Sequence, residues 1–247
     1  MKISSERYKR QIILKEIGES GQSRINKSSV LVVGAGGIGC SLLSYLSAAG
    51  TGTLGIADSD KVDITNLHRQ VLFNEDQTGE SKAESAADNL KKMNSGTEYK
   101  IFNEHLGKLN SESIVSEFDI VADATDNFRS RYIINDICVK LGKPLIWGAV
   151  SRFELQVSVF NFENGPDLRT AFPENLTAGN VGNCGEQGVI GPAAGITAML
   201  MASEIIKIIT GAGKILSGEL LYADLLTSEF RKIRIKSPEL VNLNPSG

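Results

Sequence analysis

Val30-Leu31-Val32-Val33-Gly34-Ala35-Gly36-Gly37-Ile38-Gly39 decides the fold. Four apolar residues, Val30–Val33, run directly into a cluster of glycines. A short apolar run bounded by glycine reads as a buried strand. From Ile38 to Ala49 the apolar positions follow helical spacing, and Gly50 stands where a helix ends in a left-handed residue. Strand, glycine turn and helix in this order form a phosphate-binding unit. The glycines Gly34, Gly36, Gly37 and Gly39 let the backbone turn sharply and approach a ligand, and the helix N-terminus offers free N–H groups. The same turn serves ATP, nicotinamide and flavin nucleotides, so the loop alone does not choose among them.

Working outward, the alternation continues. Strands are predicted at Thr53–Asp58, Ile120–Asp123 and Pro144–Gly148, with helices at Ser5–Glu16, Lys82–Met93 and Asn127–Lys140. This pattern predicts an α/β protein with a Rossmann-like, mostly parallel sheet flanked by helices. The second half changes character. Leu155–Phe160 reads as an antiparallel strand, and Glu219–Asp224 with Glu229–Ile235 as a hairpin. Between them lie a long Gly-, Asn- and Pro-containing loop, Asn161–Gly185, and an apolar stretch, Val189–Thr210. That stretch is apolar enough to be weighed as a membrane span, but Pro192, Glu204 and Lys207 within it favour a buried helix. The chain is expected to form one domain over residues 1–247, with a nucleotide-binding half at about 1–150 and a second half at about 151–236.

Composition narrows the classes. The 247 residues suffice for a core without staples, and 41% hydrophobic with 22% charged residues is ordinary for a soluble globular chain. A net charge of −3 gives no reason to expect a nucleic-acid or membrane partner. The three cysteines, Cys40, Cys138 and Cys184, are odd in number and widely spaced, which predicts a reducing, cytoplasmic setting. Cys40 and Cys138 read as core residues. Two histidines are too few for a histidine-based metal site, and neither His68 nor His105 is given a role.

Asp58 closes the second predicted strand about twenty residues beyond the glycines, where a carboxylate accepts hydrogen bonds from ribose hydroxyls. Asp60, Asn66-Leu67-His68-Arg69-Gln70, a helix-opening Lys82 and Thr125-Asp126-Asn127 follow. With Arg7-Tyr8-x-Arg10-Gln11-Ile12 at the start, and Gly188-Val189-Ile190-Gly191-Pro192, Tyr222-Ala223-Asp224 and Phe230-Arg231 later, the chain resembles the MoeB/ThiF/HesA family from about Arg7 to Ile233. These are bacterial relatives of ubiquitin-activating enzymes. The resemblance implies a homodimer that uses ATP and Mg²⁺ to adenylate the C-terminal carboxylate of a small ubiquitin-like carrier ending in Gly-Gly, priming it for thiocarboxylate formation. It implies that Asp58, Asp60, Asn66, Gln70 and Asn127 face the nucleotide, and that Arg10 reaches the ATP phosphates of the neighbouring subunit.

The residue chemistry agrees with this. A carboxylate attacks the α-phosphorus while pyrophosphate leaves, so positioning and charge stabilisation are the main requirements. Arg69 and Lys82 supply cations for the phosphates, and Asp126 a carboxylate for Mg²⁺. A nicotinamide-dependent oxidoreductase shares the glycine turn but has no need of this charged set. A tRNA-modifying dehydratase of the same superfamily is the other alternative. Cys184 aligns with the cysteine that some relatives use to form a thioester or acyl disulfide with the carrier. Many relatives also hold a structural zinc on two Cys-x-x-Cys pairs. The corresponding places here read Asp167-Leu168-Arg169-Thr170 and Pro238-Glu239-Leu240-Val241, so no zinc is expected. No rhodanese-like segment follows the hairpin, so the expected sulfur donor is a separate protein.

Overall fold

The computed structural model describes residues 6–174 and 188–235. It contains one eight-stranded sheet in the order β3-β2-β1-β4-β5-β6-β7-β8. Five strands are parallel: β1 (Ser29–Val33), β2 (Thr53–Ala57), β3 (Glu98–Phe102), β4 (Ile120–Asp123) and β5 (Leu145–Ser151). The last three, β6 (Glu154–Phe160), β7 (Glu219–Asp224) and β8 (Glu229–Arg234), continue the sheet antiparallel. The chain builds outward from β1 through β2 to β3, then returns to the other side of β1 with β4. Strand order therefore reverses between β1 and β4, which is where open α/β sheets leave a crevice beyond the strand C-termini.

Among the described residues the α-helices are α1 (Lys9–Ile12), α2 (Gly18–Ile25), α3 (Gly37–Ala49), α4 (Lys82–Met93), α5 (Ser111–Ser116), α6 (Phe128–Leu141), α7 (Leu168–Ala171) and α8 (Gly191–Thr210). Two apolar cores result. One gathers Val30, Val32, Leu42, Leu46 and Leu90 with Met201 and Ile205 of α8. The other gathers Leu31, Val121, Ile134 and Trp147. Alternate residues of β1 thus serve opposite faces, as the pleat dictates. α8 is apolar and long enough to span a membrane by length and composition, but it packs on α3, β5 and β6 and half of its apolar window is buried.

The expected strands and most helices are present, with four differences. The N-terminal helix expected at Ser5–Glu16 is reduced to the single turn α1, followed by the unexpected α2. Gly18 at φ 56° interrupts the periodicity there. Strand β3 was not expected because Glu98-Tyr99-Lys100-Ile101-Phe102 is an edge strand, exposed or half-buried throughout, and shows no apolar run. The short α5 also escaped notice. The expected loop 161–185 contains α7, capped by Asp167, whose carboxylate accepts from Thr170 N–H at 2.9 Å and Thr170 Oγ1 at 2.6 Å. Gly50 is the left-handed cap of α3 at φ 88°, and Tyr8 lies so close that an added Cβ would sit 2.5 Å from its ring.

Asp167–Thr170 is the first of the two places where the resemblance would put zinc ligands and the sequence has none. Here it is anchored by charge. Arg169 grips Asp136 of α6 with two bonds, Nε to Oδ1 at 2.7 Å and NH2 to Oδ2 at 2.8 Å, and stacks 4.5 Å over the Tyr132 ring. The guanidinium holds the Asp136 carboxyl below the usual carboxylate range. A carboxylate lowered in the folded state stabilises above its unfolded pKa, and that contribution disappears as pH falls through the folded value. Removing this half-exposed fork should cost about 1 kcal/mol. Arg169→Met is therefore expected to lower the melting temperature by about 2–4 °C near neutral pH, with the difference fading in acid. The same measurement with a strong chelator should leave the parent protein unchanged. One zinc per chain by metal analysis would contradict this account.

Candidate functional site

A cavity of about 370 Å³ opens at the strand reversal. Its walls are the C-terminal ends of β1, β2 and β4, the glycine turn, and the N-terminal ends of α3, α4 and α6. Three strands and three helix N-termini thus converge on one space, an arrangement suited to an anionic ligand.

The glycine turn is set by its own packing. Gly34 has φ 95°, and a Cβ there would lie 2.9 Å from the Ala124 carbonyl. Gly39 allows no side chain, because a Cβ would fall 1.9 Å from the carbonyl oxygen of Gly34. Gly34, Gly36 and Gly37 line the cavity, whereas Gly39 lies behind the turn and acts through close packing of helix on loop. Gly39, also expected at the nucleotide, is not among the residues that line the cavity.

Asp58 is bound to the same turn. Its Oδ2 accepts from Ala35 N–H at 2.7 Å and its Oδ1 from Asp60 N–H at 2.8 Å. Each oxygen retains a second acceptor position, so the carboxylate can serve a ribose while holding the loop. Lys82 opens α4 with its side chain only 7% exposed, and its ammonium meets Asp60 Oδ2 at 3.0 Å. Arg69 is oriented by two acceptors, Asn66 Oδ1 at 2.6 Å and His68 Nε2 at 2.8 Å. Asn66 is thus a support for Arg69. Gln70 is buried beneath the turn, and its Oε1 has no protein partner.

Opposite these cations, β4 runs into Ala124-Thr125-Asp126-Asn127. Asn127 caps α6 by accepting from Ser130 N–H at 2.9 Å. Asp126 is exposed and lines the cavity, and its one recorded hydrogen bond is a long contact from Asn127 Nδ2 at 3.3 Å. Asp123 behind it is fully buried, and burial pushes its carboxyl above the ordinary range despite nearby Arg131.

The cavity brings together Gly34, Gly36, Gly37, Asp58, Asp60, Asn66, Arg69, Gln70, Lys82, Asp126 and Asn127 of the expected set. Arg10 is elsewhere, exposed on α1. Cys184 and Pro238–Val241 lie outside the described residues. Cys40 and Cys138 are buried and unpaired, and burial pushes the Cys40 thiol up to about 12 and Cys138 higher still. Both are inert core thiols. Sequence reading missed Arg131, Ser130 and His105. All three line the cavity, and His105 Nε2 lies 3.4 Å from Ser130 Oγ. Arg131 had a legible signal in retrospect, a basic residue one helical turn past the cap Asn127.

Fold and cavity together define a Rossmann-like nucleotide-binding protein whose site faces its ligand with a glycine turn, two cations and a carboxylate. Residues 8–242 match the ThiF family, and the chain belongs to that family. It is 46% identical over 230 residues to the adenylyltransferase and sulfurtransferase MOCS3 of Culex quinquefasciatus, covering 93% of this chain and 52% of that protein. It is 42% identical over 236 residues to the sulfur carrier protein adenylyltransferase of Thermus thermophilus, covering 94% of this chain and 87% of that one. The chain thus spans about half the length of its MOCS3 relatives. Among solved structures it resembles PaaA, at 25% identity with a TM-score of 0.79, covering 94% of this chain and 73% of that chain. It also shares the fold of Escherichia coli MccB crystallised with ATP, at 22% identity with a TM-score of 0.82, covering 95% and 73%.

Proposed function

We propose that this chain is an ATP-dependent adenylyltransferase acting on the C-terminal carboxylate of a small ubiquitin-like sulfur carrier ending in Gly-Gly. The observation that carries the proposal is the cavity itself, which sets Arg69 and Lys82 across from Asp126 over one glycine turn. The relatives named as adenylyltransferases support the same reading.

The carrier's carboxylate oxygen attacks the α-phosphorus, and the bond from that phosphorus to the departing pyrophosphate oxygen breaks. The products are an acyl adenylate and pyrophosphate. Lys82, held by Asp60 before nucleotide arrives, needs little reorganisation to meet phosphate oxygens. Arg69 offers a planar fork to the same charge. Mg²⁺ fits this donor set. Among the described residues no three His, Cys, Asp or Glu side chains gather into a metal cage. Asp126 instead offers one open carboxylate beside the phosphate space, which is how Mg²⁺ is commonly held together with a nucleotide. When bound, the ion would neutralise phosphate charge.

The active unit is proposed to be a homodimer. Tyr8 places α1 against Gly50, at the far end of α3 from the cavity. A helix of 13 residues separates its ends by about 20 Å. This places exposed Arg10, two residues from Tyr8, near the far end of α3 from its own chain's cavity, which supports its use at the cavity of a second copy. The sulfur donor is taken to be a separate protein and the setting cytoplasmic.

The direct test is ATP–pyrophosphate exchange with purified carrier. Exchange should require Mg²⁺ and a carrier with an intact Gly-Gly end, and should vanish when the last glycine is removed. Exchange that is indifferent to the carrier's terminus would overturn the substrate assignment.

A further inference from the structure

Arg131 lines the cavity, yet it is a charged residue only 4% exposed. Its guanidinium lies between two aromatic rings, 5.1 Å from the centroid of Phe128 and 5.1 Å from that of Trp147. From there NH2 donates to the carbonyl of Thr125 at 2.8 Å. Asp123, fully buried, holds the other side of the same residue, since its Oδ1 accepts from Thr125 N–H at 2.9 Å and from Thr125 Oγ1 at 2.7 Å. Trp147 is the β5 ladder partner of Asp123, so the strand register brings the acid and the ring that flanks the base side by side.

The two charges do not pair directly; among the described residues no ion pair within 4.0 Å joins them. They are joined through Thr125. Asp123 Oδ2 and Arg131 Nε are left without protein partners, so the pair is not optimised as a salt bridge. Burying two ionisable side chains with unpaired atoms is unfavourable for stability. It is well suited to fixing geometry, because both peptide planes flanking Thr125 are held by hydrogen bonds to these buried side chains. On the far side, Asn127 is fixed as the cap of α6. Asp126 is the single residue between these two fixed points, and its carboxylate faces the cavity.

We propose that Arg131 and Asp123 are positioning residues that clamp Thr125 and thereby aim the Asp126 carboxylate at the nucleotide-borne Mg²⁺. The proposal rests on the adenylating reading of the cavity and deepens it. Outer-shell partners of metal carboxylates typically contribute 10-fold to 100-fold in metal affinity.

The test is calorimetric binding of a non-hydrolysable ATP analogue, with Mg²⁺ and with chelator, which needs neither carrier nor turnover. Wild type should bind more tightly with Mg²⁺, and Asp126→Asn should lose that gain. Arg131→Met and Asp123→Asn should lose about 10-fold or more of it, read as the ratio of binding with Mg²⁺ to binding with chelator. Arg131→Lys keeps the buried charge without the planar fork, so it guards against an unfolded Met variant and should show the same selective loss. Full Mg²⁺ gain in Arg131→Lys or Arg131→Met overturns the clamp. Equal loss of binding with and without Mg²⁺ in folded variants also overturns it, since it would mark a merely structural role. Wild type that binds the analogue without any Mg²⁺ gain overturns the metal assignment of Asp126 and the clamp with it, and wild type that binds no analogue overturns the nucleotide reading beneath both.

Discussion

Asp126→Ala is expected to lower carrier-dependent ATP–pyrophosphate exchange by about 10²–10³-fold at saturating nucleotide. The carboxylate is exposed on the cavity wall beyond β4, and among the described residues its hydrogen bonding is one long contact from Asn127. The variant should therefore unfold within about 0.5 kcal/mol of the parent, as exposed substitutions do. Loss of exchange with stability retained separates a chemical role from a structural one. A folded Asp126→Ala protein with near-normal exchange would refute the metal assignment. Exchange measured across Mg²⁺ concentrations sharpens the result, because excess metal should not restore a site that lacks its ligand.

Mixing Arg10→Ala with Lys82→Ala subunits is expected to regenerate activity that neither parent has. In a two-fold dimer with shared sites, each site draws Lys82 from one chain and Arg10 from the other. A mixed dimer then contains one intact site and one that lacks both groups. Random re-pairing makes half of the dimers mixed, so recovery should approach about a quarter of wild-type exchange. The Lys82→Ala parent should be nearly inactive because it removes a buried ammonium poised by Asp60 at the phosphate space. Mixed dimers as inactive as both parents would show that each site is built within one chain, and would leave Arg10 at the far end of α3 without a part in the chemistry.

Much of this site was legible in the sequence because its parts are punctuated. Glycine marks a turn, a polar residue after an apolar run marks a strand end, and Asp58, Lys82 and Asp126 each stand at such a point. Parallel strands gather their C-terminal ends at one edge, so residues far apart in the chain could be assigned to one cavity. The glycine turn and Asp58 alone fitted a nicotinamide site as well; Arg69, Lys82 and Asp126 around the same space are what favour phosphoryl chemistry. The rest was hidden for identifiable reasons. β3 carries charge on an exposed edge and lacks the apolar run that betrays a buried strand. Arg131 reads as a solvated helix residue until the fold stacks it between Phe128 and Trp147, a contact made across two separate elements. Spacing does not distinguish a glycine that lines the cavity from one that, like Gly39, lets helix and loop meet. His105 follows an edge strand that was itself unseen, so its place on the cavity rim could not be inferred.

The staple from Asp58 to Ala35 divides the labour of the site. With the turn's backbone already fixed by that bond and by the contact of Gly34 with Gly39, nucleotide capture on the proposed reading would freeze few loop conformations, and the loop would present the same face to phosphate throughout the reaction. Interactions of equal strength along the whole path lower KM without raising kcat, and they hold products as firmly as substrate. On the proposed reading the rate enhancement comes instead from groups whose contacts strengthen as pyrophosphate departs, and Lys82, Arg69 and the Asp126 carboxylate are the candidates. Disturbing the turn should weaken nucleotide binding while sparing turnover at saturation, whereas disturbing Arg69 or Lys82 should depress kcat more than it moves KM, and disturbing Asp126 should both depress kcat and remove the Mg²⁺-dependent part of nucleotide binding.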